Sequence, residues 1–128
     1  MQVSWKMLNE RSNQVAQLLQ NLGLKVGDHV SIFMENNLDY FSIGWGVMRS
    51  GMYLTCINRY LTPEEAAYIV EDSTSQVIFA SAELAQTEDL GALIPNCKNR
   101  FVIGHETAGY EDYEQAVSFQ HKGPIADE

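Results

Sequence analysis

Three histidines, two cysteines and one pair of adjacent glutamates are where this 128-residue chain could hold a metal, attack a substrate or move a proton. His29, His105 and His121 stand apart, with no Cys or carboxylate at ligand spacing, so each reads as a surface or strand-edge residue. Cys56 and Cys97 lie in apolar surroundings far apart in sequence, which is neither a disulfide framework nor a metal motif. They read as buried, reduced thiols. Glu64-Glu65 follows Thr62-Pro63, and this spacing is that of a helix start, not of an acid–base pair. Thr62 caps, Pro63 takes the first helical position and Glu65 the reciprocal capping-box position, with Leu61 able to staple to Ala66. Phosphate chemistry finds no support either. There is no G-x-x-x-x-G-K-S/T loop and no G-x-G-x-x-G after a strand, and Gly44-Trp45-Gly46 lies inside a helical pattern without a third glycine. No G-x-S-x-G elbow is present.

Two polar loops remain, Glu35-Asn36-Asn37 and Asn58-Arg59-Tyr60, and their interest depends on the elements that position them. His29 to Met34 is rich in β-branched and aromatic residues and follows the Gly27-Asp28 turn, so it reads as a strand. Leu38 to Ser50 is apolar nearly all round, which predicts a helix buried on more than one side, and Gly51 is placed to close it. Gly44 and Gly46 within it imply close approach to a neighbour. Met52 to Ile57 is a near-continuous apolar run, which fits a parallel strand covered on both faces. Both loops therefore fall at the carboxyl ends of strands, where ligands enter open parallel sheets.

Before this unit, Ser4 is placed to cap a helix running to about Leu22. Trp5, Leu8, Val15, Leu19 and Leu22 lie on one face, Ser12 fills the gap, and Gly23 closes it. After it come a helix to about Asp72, a strand Gln76 to Ala80, and a helix from Ala82 to about Leu93, capped by Ser81 and ended by Pro95. A strand Arg100 to Gly104 and a short helix Glu111 to Ser118 complete the order αβαβαβαβα. The fold class is α/β: a mostly parallel sheet with helices on both faces. Phe119 to Glu128, with Gly123-Pro124, reads as a linker.

The formal net charge of −9 argues against a nucleic-acid or anionic-membrane partner, which needs clustered Lys and Arg. Acidity gathers late, where Glu106, Glu111, Asp112, Glu114, Asp127 and Glu128 face only Lys122. Hydrophobic content of 45% against 20% charged residues belongs to a soluble globular chain. No run approaches the roughly 18 apolar residues of a membrane span. With reduced thiols and no secretory pattern, the expected compartment is the cytoplasm.

Three segments, in order, resemble one family. The first is Ser4-Trp5-Lys6-Met7-Leu8-Asn9-Glu10-Arg11-Ser12-Asn13-Gln14-Val15-Ala16, then Leu18-Leu19, Leu22-Gly23 and Val26-Gly27-Asp28-His29-Val30. The second is Asn36-Asn37 followed by Met48-Arg49-Ser50-Gly51. The third runs Ile57-Asn58-Arg59-Tyr60-Leu61-Thr62-Pro63-Glu64-Glu65-Ala66-Ala67-Tyr68-Ile69-Val70-Glu71-Asp72-Ser73. Together they resemble the N-terminal part of the adenylate-forming enzymes: acyl-CoA synthetases, aryl-CoA ligases, luciferases and peptide-synthetase adenylation domains. Met7 stands where the family often has Glu, and Arg59 where many members have Pro. Arg59-Tyr60-Leu61-Thr62 looks closer to fatty-acyl or medium-chain ligases than to peptide-synthetase domains.

The resemblance implies the N-terminal subdomain of the acyl-CoA synthetase/luciferase-like fold over residues 1–118, with 119–128 a linker toward an absent phosphate-binding loop. Family members activate a carboxylic acid with ATP and magnesium to an acyl-adenylate, then usually pass the acyl group to coenzyme A. Their phosphate loop, aromatic-Thr-Glu motif, ribose-binding Asp and C-terminal Lys have no counterpart in this chain. No catalytic, cofactor-binding or metal-binding residue is therefore carried onto any position, and no cofactor is expected on this stretch. The expected partners are the rest of its own polypeptide and a carboxylic acid, with a homodimer or domain swap possible and no nucleic acid. The rival expectations are a freestanding flavodoxin-like binding module, with its ligand at the two polar loops, and the start of a peptide-synthetase adenylation domain.

Overall fold

The computed structural model describes residues 5–34, 38–58, 60–86, 93–97, 99–104, 107 and 109–120. In chain order these form α1 (Trp5–Asn21), β1 (His29–Phe33), α2 (Leu38–Arg49), β2 (Tyr53–Cys56), α3 (Pro63–Asp72), β3 (Val77–Ser81), α4 (Ala82–Gln86), β4 (Asn99–Ile103), β5 (Glu111–Asp112) and α5 (Tyr113–Ser118). The strands make one sheet in the order β2-β1-β3-β4-β5, and every pairing is parallel. Alternate residues of each strand face opposite layers. Val30, Ile32, Val77, Phe79 and Phe101 pack with α1, α2 and α5, while Phe33, Ile78, Ala80 and Val102 pack with α3 and α4. The first layer is anchored on aromatic rings. Phe79 stacks on Phe101 at 5.4 Å between centroids and meets Tyr113 edge-on at 5.8 Å. The second layer is closed by small side chains, Ala66, Ala67, Ala82 and Ala85.

Helix α1 lies across α2, and the closest approach is at Gly46. A methyl group there would sit 2.6 Å from Val15 Cβ and Cγ1 and 2.8 Å from the Ser12 carbonyl oxygen. Ser12 is thus no gap in the apolar face of α1, because it is the small residue on which α2 rests. Gly44 differs. Its missing methyl would meet only Leu54 Cδ2 at 3.7 Å, an ordinary contact, so the close approach expected at both glycines occurs at one. Helix α5 docks on α1 through polar pairs. Arg11 donates to Glu114 at 2.8 Å, and Asn21 Nδ2 donates to Gln120 Oε1 at 2.6 Å.

Three helices end in the same hydrogen-bonded turn. Leu24 N–H donates to Leu19 and Gly23 N–H to Gln20; Met52 to Val47 and Gly51 to Met48; Ser75 to Val70 and Thr74 to Glu71. Each set is a Schellman closure with its turning residue in the left-handed region. Gly23 and Gly51, the closures expected from sequence, have φ of 90° and 73°, whereas the third turn forces Thr74 to 54°. A chain of buried hydroxyls runs beside that turn. Ser73 Oγ donates to the Val70 carbonyl at 3.2 Å, so its single proton is used and it accepts from Ser75 Oγ at 2.8 Å. Ser75 in turn accepts from Ser31 Oγ of β1 at 2.6 Å. A buried polar residue on an interior strand is thereby satisfied.

The capping box at α3 is present in both directions. Glu65 N–H donates to Thr62 Oγ1 and Thr62 N–H donates to Glu65 Oε1. Several expectations are corrected. β2 is parallel but sits at the sheet edge, so Tyr53 and Cys56 are exposed and the strand is not covered on both faces. Glu111-Asp112 is a short strand before α5 and not its first turn, because Asp112 Oδ2 accepts from Gln115 N–H and so caps the helix from outside. Ser81 ends β3, and its hydroxyl bonds no helix N–H. The Ser4 cap and residues 87–92 of the expected fourth helix lie outside the described residues.

Replacing Gly46 by Ala is expected to lower unfolding stability by about 1–3 kcal/mol, since the clash with Ser12 is with backbone. Gly44→Ala should be neutral or raise it by up to about 1 kcal/mol through helix propensity. Urea denaturation of the two variants side by side checks this contrast. By the same method Thr74→Gly should gain on the order of 0.5–1 kcal/mol by removing the left-handed strain of a β-branched residue. A loss would mean that the turn is not strained.

Candidate functional site at the carboxyl edge of the sheet

All five strands run the same way, so their carboxyl ends share one edge. The order β2-β1-β3 means that the chain leaves β1 to one side and β3 returns on the other. That reversal opens a crevice at the ends of β1 and β3, the usual ligand position in such sheets. Of the two polar loops expected there, residues 35–37 and Arg59 lie outside the described residues. Asn58 is exposed, and its Oδ1 accepts from Tyr60 N–H at 2.9 Å, which turns the chain toward α3. Tyr60 is exposed. Asn58 is thus placed by a local turn rather than directed at a ligand.

Three further groups meet this edge. Tyr40, in the first turn of α2, hydrogen-bonds Cys56 at the end of β2. That bond, then burial, then the nearby thiol charge push the phenol up to about 12. Sixteen residues separate the pair, and no local spacing signals it. Ser81 Oγ at the end of β3 is buried and bonds no partner among the described residues. Gly104 follows β4 with φ of 124°, and a methyl there would lie 3.3 Å from Ala82 Cβ. A phenol, a thiol and an isolated hydroxyl form neither an acid–base pair nor a charge clamp. Two clefts, of about 320 Å³ beside Asn99, Arg100 and Glu111 and about 550 Å³ beside Lys25, Val26 and Met52, open at the opposite, amino edge.

The His29 ring lies tilted beside Tyr53 with ring centroids 5.1 Å apart, a strand-edge contact. Cys97 is buried as expected, but Cys56 is exposed, because the edge strand that carries it has no outer neighbour. Glu64 and Glu65 stay at the α3 terminus, where they favour its positive end. Among the described residues no group of three or more His, Cys, Asp or Glu side chains could hold a metal ion. No described helix is long and apolar enough to cross a membrane.

The model of the AMP-binding enzyme family matches residues 1–125 of this chain. A 4-hydroxybenzoate–CoA/benzoate–CoA ligase of Rhodopseudomonas palustris is 28% identical over 107 residues, 83% of this chain and 20% of that protein. A long-chain-fatty-acid–CoA ligase of Salmonella typhimurium is 36% identical over 86 residues, 66% of this chain and 15% of that protein. Among solved structures, the chain is similar to a coronafacic acid ligase from Pectobacterium brasiliense (TM-score 0.88, 18% identity, 98% of this chain and 26% of that one). It is also similar to an anthranilate CoA ligase in complex with anthranoyl-AMP (TM-score 0.85, 24% identity, 94% and 24%). At these identities the structures show the fold. The chain spans about a fifth or less of the curated relatives' length.

The two cysteines should separate by reactivity. Burial pushes the Cys97 thiol up to about 12, so it stays protonated and shielded at pH 8, whereas Cys56 lies open. One thiol per native chain should react with a maleimide, and two after denaturation; mass spectrometry of the labelled peptides reads the sites. The raised Cys97 value also means that the thiol's contribution to stability is whole below its ordinary range near 9.0 and fades as pH rises toward about 12.

Proposed function

The chain belongs to the family of AMP-binding enzymes, and on that premise we propose that it is the N-terminal scaffold of a longer ligase that joins a carboxylic acid to coenzyme A through an acyl-adenylate. The observation that carries this is the family match along residues 1–125, made on a parallel sheet in the order β2-β1-β3-β4-β5. The named relatives are CoA ligases of aromatic and fatty acids, which supports a carboxylic acid as substrate. Arg59-Tyr60-Leu61-Thr62 inclines the choice toward a fatty or medium-chain acid. The freestanding module and the peptide-synthetase start are not favoured by these relatives. The cytoplasm suits two free thiols, one of them exposed.

ATP, magnesium and coenzyme A would serve that longer protein. The residues of this chain do not fit them: the sequence has no phosphate-binding loop with its lysine, and the described side chains converge on no metal position. No step of the reaction is assigned to these residues. Their work is to hold one layered α/β lobe against which the nucleotide-binding part packs, so the main partner is the rest of the same polypeptide. Residues 119–128, of which Phe119 closes α5 and Gln120 still bonds α1, lead on as the linker toward the phosphate loop. A homodimer or swapped form of the isolated stretch is the second reading, motivated by apolar side chains left exposed on α1 and α2.

The purified 128-residue chain should show no acid-dependent ATP–pyrophosphate exchange, while the full-length product of its gene should show it with fatty or aromatic acids. Exchange by the short chain would overturn the scaffold role; no exchange by the long one with any acid would overturn the ligase.

A further inference from the structure

Helix α2 is apolar on the side that faces away from the sheet as well as on the side that meets it. Ile43 and Val47 enter the core, Gly46 meets α1 and Gly44 meets Leu54 of β2. Phe41, Trp45 and Met48, at positions i, i+4 and i+7, share the remaining side. Phe41 is 54% exposed and Met48 60%. Trp5, 70% exposed, stacks on Trp45 with ring centroids 5.0 Å apart and widens the patch. The Arg49 guanidinium also lies 6.0 Å from the Trp45 ring centre and donates to Asn13 Oδ1 at 2.6 Å. The stripe is therefore apolar except for the Arg49 guanidinium against Trp45, within a chain of net charge −9. Helices that are hydrophobic all round are interior helices.

We infer that this outward stripe is an interior packing face of the longer ligase, covered by an apolar layer of the same polypeptide. The inference rests on the ligase identity proposed above. A second copy of the chain is the poorer occupant on area. Large aromatic side chains bury roughly 150–250 Å² each when covered, so the exposed parts of Trp5, Phe41 and Met48 amount to only about 400 Å² per copy. Two copies would bury about 800 Å² of these side chains, so a stable specific interface of roughly 1,200–2,000 Å² would have to recruit the polar surface around the stripe. The same polypeptide can bring far more. The matched stretches make up only 15% to 20% of the CoA ligases named above, and the rest of such a chain needs a surface to pack on. It also pays no separate association cost, because covalent linkage keeps its local concentration high.

Hydroxyl-radical footprinting with mass spectrometry compares the 128-residue chain with the full-length product of its gene. Met48 and Trp5 should oxidise at least fivefold more slowly in the long protein. The double variant F41E/M48E should leave the short chain's Tm unchanged within about 2 °C, because both side chains face solvent there, and lower that of the long protein by at least about 5 °C. Equal oxidation rates in the two proteins would overturn the inference even if the variant misfolds. Protection already present in the short chain and lost on dilution would assign the stripe to a second copy and overturn it as well. A long protein without ligase activity in which Met48 is nonetheless protected would fail the proposed function and leave the packing face standing.

Discussion

One helix crossing fixes the face of the sheet that carries α1, α2 and α5. At Gly46 the backbones of α1 and α2 approach until no β-carbon fits between Val15, the Ser12 carbonyl and α2. That distance lets both helices reach the sheet at once. Ile43 and Val47 come down on one side and Val15, Leu18 and Leu19 on the other, over the same strand residues. If α2 were lifted by a methyl, both rows would leave the close-packed interior together, and interiors forfeit dispersion quickly as gaps open. Helix α5 is set on the same face by buried Tyr113 and Val117, with Arg11–Glu114 an exposed pair to α1 beside them.

The two edges of the sheet have different characters. At the β5 edge, Glu111, Asp112 and Glu114 accompany a short capped helix, and charge faces solvent. At the β2 edge, Tyr-Leu-Thr-Cys carries no charge and no proline, which are the usual guards of an open strand. With the apolar outward side of α2 beside it, the molecule has a polar margin and an apolar one. A freestanding protein tends to blunt such a margin; a lobe inside a larger ligase has reason to keep it.

The described residues at the carboxyl edge carry little chemistry of their own. Among the described residues, the groups at the carboxyl edge include a phenol bonded to a thiol, a buried hydroxyl and a glycine turn. These described groups form no charge clamp. The described residues form a parallel sheet closed on one face by stacked aromatic rings and on the other by alanines, with three helices ended by the same turn.

Local signals in the sequence determined the parts that depend only on near neighbours. Thr62-Pro63-Glu64-Glu65 specifies the start of α3 because every partner in a capping box lies within three residues. Gly23 and Gly51 specify helix ends because a left-handed turn selects glycine whatever surrounds it. The alternation of strands and helices determined a parallel α/β sheet, and the order of the three family-like segments determined the kind of enzyme to expect. Strand order was decided only in three dimensions. An apolar run reads alike in the centre of a sheet and at its edge, so the exposure of Tyr53 and Cys56 waited on which strand had a neighbour on each side. The same holds for Thr74 in a glycine's conformation, for Ser31 donating to Ser75, and for Tyr40 meeting Cys56. Each depends on partners brought together by packing, and separation along the chain carries no record of that distance.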